Sequence, residues 1–349
     1  MRKIVTYAVA SLFFCQIANA KVWRINNNAG VTADFTTFTA AIADSRVVAG
    51  DTLHLEPSST QYSGGTINKR LTIIGSGYFL TETSPMVANP KTQANTNVSN
   101  LYSVTFGIGS KGSVAMGLTC NYFYMDDSLV TIQRNNIGSA VYFNNSYNTF
   151  GDTIRQNYIY GIASSSYSTT LKAENIIIYN NIFTGYYPIN FTTYTMNNNS
   201  GYFINNSCVY TYYNYFNCVN FIFQNDIFYG PQFGTYLTSN AFFNCLDNTS
   251  TLPNTNNNKL NVDMSTVYQG YSSTTGLSSD GRYQLKANSP ATNAGSLNGT
   301  TIDCGAFGGG APYVLSGMPP IPSIYLLTAP SQVTSGTTSI NVTVSSISH

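Results

Sequence analysis

A short pattern that carries asparagine recurs along the middle of the chain. Its apolar-x-x-Asn-x-apolar form repeats with successive asparagines 19 to 26 residues apart. Irregular repeats of this length are typical of a β-solenoid, in which loops vary while one strand per turn is kept. The copies span Ile132–Ile137, Ile154–Ile159, Ile177–Ile182, Phe203–Cys208, Ile222–Ile227 and, more weakly, Ala241–Leu246.

The repeated asparagine predicts a hydrogen-bonded ladder. Coils of a solenoid stack about 4.8 Å apart, so equivalent positions of neighbouring coils meet. A buried asparagine can then bond to the asparagine above and the one below, which satisfies its amide. The predicted ladder, with side chains inward at one corner, consists of Asn135, Asn157, Asn180, Asn206, Asn225 and Asn244.

Composition supports this interpretation and excludes others. Only 8% of the residues are Asp, Glu, Lys or Arg, which excludes a charge-stabilised helical bundle or coiled coil. The 20 Phe and 27 Tyr residues supply apolar surface that argues against disorder. The net charge is +1 and no stretch concentrates lysine and arginine, so nucleic-acid binding is disfavoured.

The first twenty residues predict export. Arg2 and Lys3 precede a mostly apolar stretch, and Ala18-Asn19-Ala20 is a small-x-small cleavage site. We expect cleavage after Ala20 and a secreted or cell-surface protein; the alternative, a membrane anchor, would need a longer apolar stretch. No other segment is long and apolar enough to span a membrane. The five cysteines after the leader are interpreted as buried hydrophobic residues, with a disulfide framework as the alternative.

The rest of the chain divides into two parts. Residues 21–311 are assigned to the solenoid, and 312–349 to a proline-rich segment followed by a short β extension. Near the start, Phe35, Phe38 and Ile42 have helical spacing with Asp34 as a candidate N-cap. Such a helix would close the open end of the first coil and protect it from edge pairing.

Two segments resemble a known family. Residues 34–75 contain DFTTF, AGDTL and YSGGTINKRLTIIG, and residues 289–308 contain SPATNAG followed by DCGAFG. These strings resemble secreted bacterial right-handed parallel β-helix proteins of the pectate-lyase-like superfamily, over roughly Val22 to Leu327. The resemblance implies an all-β, right-handed parallel β-helix with an N-terminal capping helix. It does not specify an activity, because this fold carries many functions.

Candidate catalytic residues are few. Asp126 and Asp127 are loosely similar to the paired aspartates of polygalacturonases, and Arg134 and Arg155 are candidates for the arginine base of a pectate lyase. Each has a plainer interpretation: the aspartates cap a turn, and the arginines form surface ion pairs or stack on tyrosine. No spacing of His, Cys, Asp and Glu predicts a metal site, and no cofactor is expected.

Tyrosines give the clearer binding signal, because they decorate successive coils. Aromatic faces contact sugar rings while amides bond to hydroxyls, although tyrosine is also common in half-buried strands. The glycan-binding candidates are Tyr142, Tyr158, Tyr179 and Tyr212. We therefore expect a non-catalytic structural or binding module whose partner is an extracellular glycan or cell surface. The alternative is a polysaccharide lyase or glycoside hydrolase.

Overall fold

The computed structural model describes residues 20–143, 147–164, 173–191, 199–271 and 276–349. The described chain is nearly all β, with parallel sheets stacked as a β-solenoid and very little helix. This confirms the predicted fold class. Of the predicted leader, residues 1–19 lie outside the described residues.

Ten short parallel strands form sheet A, and their register stacks equivalent side chains of successive coils. One inward row runs through Ile132, Ile154, Ile178 and Phe203, all fully buried. The strands of sheet A are β1 (Val22–Ile25), β2 (Thr52–Leu55), β4 (Thr72–Ile74), β6 (Val114–Met116), β8 (Thr131–Gln133), β11 (Thr153–Arg155), β15 (Ile176–Tyr179), β18 (Gly201–Ile204), β21 (Phe221–Gln224) and β24 (Ala241–Phe243).

Thirteen further parallel strands form sheet B. Its strands at 100–106, 119–125 and 136–143 are long, whereas later coils have two short strands in place of a long one, so that the strand at 136–143 pairs with both short strands of the next coil. The strands are β3 (Gly65–Ile67), β5 (Asn100–Phe106), β7 (Thr119–Met125), β9 (Asn136–Phe143), β12 (Tyr158–Ile159), β13 (Ile162–Ser164), β16 (Ile182–Phe183), β17 (Ile189–Asn190), β19 (Ser207–Cys208), β20 (Asn214–Asn217), β22 (Ile227–Phe228), β23 (Pro231–Gln232) and β25 (Leu246–Asp247).

The remaining elements are small. A parallel pair joins two coils, and two antiparallel hairpins follow the solenoid: β10 (Thr149–Phe150) with β14 (Ala173–Glu174), β26 (Gly295–Leu297) with β27 (Thr300–Ile302), and β28 (Ser323–Thr328) with β29 (Thr343–Ile347). Short 3₁₀ helices span Gly234–Ser239, Met264–Thr266, Gly281–Tyr283 and Leu315–Gly317. The cysteines at 120, 208, 218, 245 and 304 are buried with free thiols.

The helix near the start begins later than predicted. Helix α1 spans Phe38–Ala43, and its N-cap is Thr37, whose hydroxyl accepts from the Ala40 N–H. The Asp34 carboxylate instead accepts from the Arg24 N–H at 2.9 Å, and Phe35 pairs with Ile25. The Asp34 assignment was wrong because this carboxylate is used by strand β1.

A ladder of buried amides runs along the corner between sheets A and B. Its members are Asn135, Asn157, Asn181 and Asn206, followed by Asp226. At each step the side-chain oxygen accepts from the backbone N–H and the side-chain amide of the residue one coil earlier, at 2.6 to 3.2 Å. Each asparagine amide also donates to a sheet A carbonyl, which satisfies it fully.

The ladder corrects three predicted positions. The predicted Asn180, Asn225 and Asn244 have φ of 54°, 59° and 53°, so each occupies the left-handed turn residue just before the ladder position. Asparagine is common there because it tolerates the left-handed region. The ladder positions themselves hold Asn181 and Asp226.

The left-handed turn residues have a separate role: they hold the returning chain. Residues 295–318, the C-terminal strap, run back along this corner from the last coils towards the first. Five consecutive turn side chains donate to strap carbonyls: Asn225 to Ser296, Asn205 to Asp303, Asn180 to Ala306 and Gly308, Gln156 to Pro312, and Arg134 to Met318, at 2.7 to 3.1 Å.

The chain around the strap also covers the outer surface of sheet B next to the corner. Tyr158, Ile182 and Ile227 face outward there in one row. They belong to a second apolar cluster with Met264, Val267, Tyr268, Ala291 and Tyr313. The C-terminal part of the chain therefore closes one face of the solenoid.

Asp226 is the member of the ladder that differs chemically. Its Oδ1 accepts from Asn206, whereas its Oδ2 has no hydrogen-bond partner among the described residues. Burial raises the pKa of Asp226 well above its ordinary value, because a carboxylate here would be desolvated. The raised pKa favours the neutral carboxyl, which resembles an amide in carrying no charge.

We expect Asp226→Asn to raise the free energy of unfolding by about 1–3 kcal/mol at pH 7. When the pKa of a carboxyl is raised on folding, the protein becomes less stable as the pH rises above the pKa in the unfolded chain, about 3.9. The reason is that the unfolded chain then releases this proton more readily than the folded one. The substituted amide does not titrate, and the bonds of Asn181 and Asn206 to sheet A carbonyls predict that its N–H donates to the Phe203 carbonyl. Urea unfolding at pH 5 and pH 8 measures this gain, which should be larger at pH 8.

The matched control is Asp247→Asn. Asp247 is also fully buried, but its carboxylate accepts from the backbone N–H groups of Thr249, Thr251 and Leu252. An amide cannot accept all of these bonds, so this variant should be less stable. A loss of stability in both variants would contradict the assignment of a neutral Asp226.

Candidate functional site

Four tyrosines project together from the outer face of strands β5, β7 and β9. Tyr102, Tyr122, Tyr124 and Tyr142, here called the tyrosine platform, have neighbouring ring centroids 5.5 to 6.1 Å apart. These four residues alone line an open depression of about 400 Å³. Tyr102 is 50% exposed and the other three are half-buried, so the rings are supported from below and reachable from solvent.

Strand alternation explains why these side chains face outward. In β7, Tyr122 and Tyr124 flank Phe123, which is fully buried in the core. In β9, Tyr142 lies between two fully buried residues, Val141 and Phe143. The parallel register then sets Tyr124 directly beside Tyr142 on the next coil. The site is thus built on rigid strands whose other face is the solenoid core.

The strands that carry the platform, and the neighbouring strand β13, are uncharged. Strands β5, β7, β9 and β13 contain no Asp, Glu, Lys, Arg or His. The pKa of Tyr124 is raised above its ordinary value by burial and by the phenols of Tyr142, Tyr122 and Tyr102. The phenol of Tyr124 is therefore neutral at physiological pH and can both donate and accept hydrogen bonds.

The aromatic surface continues onto the following coils. Tyr142, Tyr160, Tyr187 and Asn190 line a second shallow cavity of about 140 Å³. Tyr160 is 47% and Tyr187 is 37% exposed. Because coils stack about 4.8 Å apart, the aromatic surface extends along the solenoid axis over several coils.

This arrangement suits a neutral, hydroxyl-rich ligand. Tyrosine rings offer apolar faces with little conformational entropy to lose, and their hydroxyls supply orienting hydrogen bonds. A charged ligand would find no opposite charge on these strands.

The structure brings only one of the four predicted glycan-binding tyrosines to the platform, namely Tyr142. Tyr158 packs under the C-terminal part of the chain, with its ring centroid 4.9 Å from that of Phe79, and burial raises its pKa. Tyr179 lies on sheet A, where its hydroxyl accepts from Arg155. Tyr212 is 72% exposed and lies outside the platform.

Three platform residues were missed in the sequence. Tyr102, Tyr122 and Tyr124 precede the first clear copy of the asparagine pattern, so the repeat does not identify them. The available signal was the alternation in 122–125, where two tyrosines are interleaved with Phe123 and Met125. This alternation identifies a half-buried strand with tyrosine on its outer face.

The paired aspartates have separate structural surroundings. The Asp127 carboxylate accepts from the backbone N–H groups of Gly109, Lys111 and Ser128 at 2.8 to 3.0 Å, so it caps loops. Asp126 directly follows β7 and is only 8% exposed. Neither carboxyl lines the platform.

The two candidate arginines lie on different surfaces. Arg134 occupies the corner, where its guanidinium donates to Gln156 and to the Met318 carbonyl of the strap. Arg155 lies on sheet A and donates to Gln133 at 2.6 Å and to the Tyr179 hydroxyl. Both guanidinium groups are used in structural hydrogen bonds, and neither borders the platform.

The described residues contain no group of three or more His, Cys, Asp or Glu side chains arranged to hold a metal ion. Among the same residues, no helix is long and apolar enough to cross a membrane.

Comparison with known proteins gives no family assignment. No protein-family model matches the chain, and no curated protein matches it significantly. The fold and the tyrosine platform therefore carry the functional argument by themselves.

Proposed function

We propose that this protein is a secreted or cell-surface β-solenoid that binds a neutral extracellular glycan through the tyrosine platform, without cleaving it. The observation that carries the proposal is the clustering of Tyr102, Tyr122, Tyr124 and Tyr142 on strands that contain no charged residue. Clustered, partly exposed aromatic residues with polar tips are the usual elements of a site for sugar rings.

Electrostatics supports a neutral glycan over an acidic one. Uronic glycans carry a carboxylate on each residue, and holding them requires cationic side chains or a bound cation. Lysine and arginine are absent from the strands that form the platform. The burial pattern also supports binding at the platform, since neighbouring core residues anchor the tyrosine rings while the rings stay open to solvent.

The ligand class can be tested on a glycan array that carries neutral and uronic oligosaccharides. We expect the purified protein to be retained by neutral glycans, and Tyr124→Ala to weaken that retention. Retention confined to uronic glycans, or unaffected by Tyr124→Ala, would refute the proposal.

We expect no cleavage of polygalacturonate, with or without added calcium. Lyase chemistry needs a base near the α-proton and positive charge to stabilise the enolate that forms. Arg134 and Arg155 are committed to hydrogen bonds on separate surfaces. An absorbance assay for unsaturated products measures the outcome. Calcium-dependent turnover that Arg155→Ala or Arg134→Ala abolishes would instead establish a lyase.

A further inference from the structure

A buried carboxylate lies beside the start of the first strand. Asp51 is 1% exposed, and its Oδ1 accepts from the backbone N–H of Lys21 at 2.8 Å. Its Oδ2 accepts from Trp23 Nε1 at 2.8 Å and from the Val48 N–H at 2.9 Å. Within the described part of the chain, no lysine or arginine side chain forms an ion pair with Asp51. The carboxylate is thus surrounded by N–H donors, and no cationic side chain of the described residues is in direct contact with it.

The main chain of Lys21 is held firmly against this carboxylate. The Thr52 N–H donates to the Lys21 carbonyl at 2.8 Å, and Val22 pairs with Thr52 in sheet A. The Lys21 Nζ lies 3.3 Å from the centroid of the Trp23 ring, and it forms no ion pair with Asp51. The preceding residue, Ala20, is exposed. The backbone nitrogen of Lys21 therefore has a fixed partner, whereas the bond before it is accessible.

We propose that the leader cleavage expected from the sequence, hydrolysis of the Ala20–Lys21 peptide bond, turns this contact into an ion pair between the Lys21 α-ammonium and Asp51; the inference rests on the proposed export of the protein. A processing peptidase would supply the catalysis and water the second reactant. The C–N bond breaks, the Ala20 acyl carbon takes the hydroxyl of water, and the Lys21 nitrogen takes the hydrogen. At neutral pH the products are a carboxylate on Ala20 and an ammonium on Lys21. The proposal is independent of what the platform binds.

The local charges favour this ion pair. Burial opposes ionisation of Asp51, but the N–H donors of Lys21, Val48 and Trp23, together with the charge of the Lys21 side chain, outweigh it, and the pKa of Asp51 lies below its ordinary value. The other charged groups nearby are the Lys21 Nζ and the guanidinium of Arg46, which lies 5.4 Å from the Trp23 ring and pairs with Asp44, together with Arg70 beside Gly50. An ionised carboxylate in contact raises the pKa of an α-amine above its ordinary range of about 7.7–8.0.

The pH dependence follows from this direction. An amine whose pKa is raised on folding contributes stability that is fully present below the unfolded pKa of about 7.7. That contribution is lost as the pH rises through the folded pKa. A chain whose N-terminus is acetylated has no such contribution at any pH.

The test compares the chain from Lys21 to His349 with a free α-amine and with an acetylated one, each with Asp51 and with Asp51→Asn. With Asp51, the free-amine chain should melt a few degrees higher at pH 6.5. This difference in melting temperature should vanish between the free-amine and acetylated chains that carry Asp51→Asn. It should also vanish between the two Asp51 chains at a pH of about 10.5. Equal melting temperatures of the two Asp51 chains would overturn the proposal.

Two further measurements keep the proposal testable if Asp51→Asn fails to fold. Competitive acylation should give the α-amine of the Asp51 chain a pKa at least one unit above about 7.7; an ordinary value overturns the ion pair. The intact mass of protein exported from cells that express the full chain should correspond to residues 21–349. Export with another N-terminus, or without cleavage, overturns the leader cleavage.

Discussion

Asn181→Ala is expected to lower the free energy of unfolding by about 3–5 kcal/mol. Asn181 is fully buried in the middle of the ladder, where its oxygen accepts from the N–H and the side chain of Asn157 at 2.9 Å. Its amide donates to the Ile154 carbonyl and to the Asn206 oxygen. Alanine removes these bonds and leaves buried donors of Asn157 without acceptors, which costs more than the loss of an exposed bond. Equilibrium urea unfolding of both proteins measures the difference.

The neighbouring residue supplies the control. Asn180→Gly keeps the left-handed turn, since glycine adopts φ of 54° without strain, and removes only two bonds to the strap. It should cost about 1–2 kcal/mol. An Asn180→Gly protein less stable than Asn181→Ala would mean that the ladder runs through the wrong residue of the pair.

Replacing Tyr122 and Tyr142 together by Ala should weaken glycan binding by a factor of about 100 or more. Both rings line the platform and lie 6.1 Å apart, so the double variant removes half of its aromatic surface. Aromatic side chains at the centre of an interface each contribute about 2 kcal/mol or more, and neighbouring contributions need not add. Isothermal titration calorimetry with the neutral glycan selected on the array gives the two dissociation constants.

Tyr212→Ala is the matched control, because Tyr212 is the more exposed tyrosine but lies off the platform. The affinity of the Tyr212→Ala protein for the glycan should equal that of the unaltered protein. The double variant should also retain its melting temperature within a few degrees, since the replaced rings lie on the outer face. If the double variant and the Tyr212→Ala protein lost affinity equally, glycan binding would depend on tyrosine residues in general and not on the platform.

The asparagine repeat predicted the solenoid correctly but not every ladder residue, and the reason lies in the turn. In the first two copies the left-handed residue is Arg134 or Gln156, and the asparagine directly after it, Asn135 or Asn157, is the ladder residue. In the third copy both residues are asparagine, and the fifth has asparagine followed by Asp226. Asparagine suits both positions, one for its backbone and the other for its amide, so spacing alone could not separate them.

The sequence predicts only in part that the C-terminal part of the chain covers the outer face of sheet B. Tyr158-Ile159, Ile182-Phe183 and Ile227-Phe228 place large apolar side chains on both faces of their strands, a sign of burial on both sides. Two-residue strands are too short to show which neighbour covers them. The strap comes from a segment more than 60 residues further along, and a single sequence does not specify that pairing. Tyr158 was therefore predicted to face a ligand when it lies under the returning chain.

The most direct test of the account is hydroxyl-radical footprinting of the protein saturated with its neutral glycan, read by mass spectrometry. The ligand should protect Tyr102, Tyr122, Tyr124 and Tyr142 from oxidation, while Tyr212 and the exposed Tyr202 of sheet A stay as reactive as in the free protein. Protection of Tyr202 or Tyr212 with an unprotected platform would contradict the account, because it would place the ligand on another face of the solenoid.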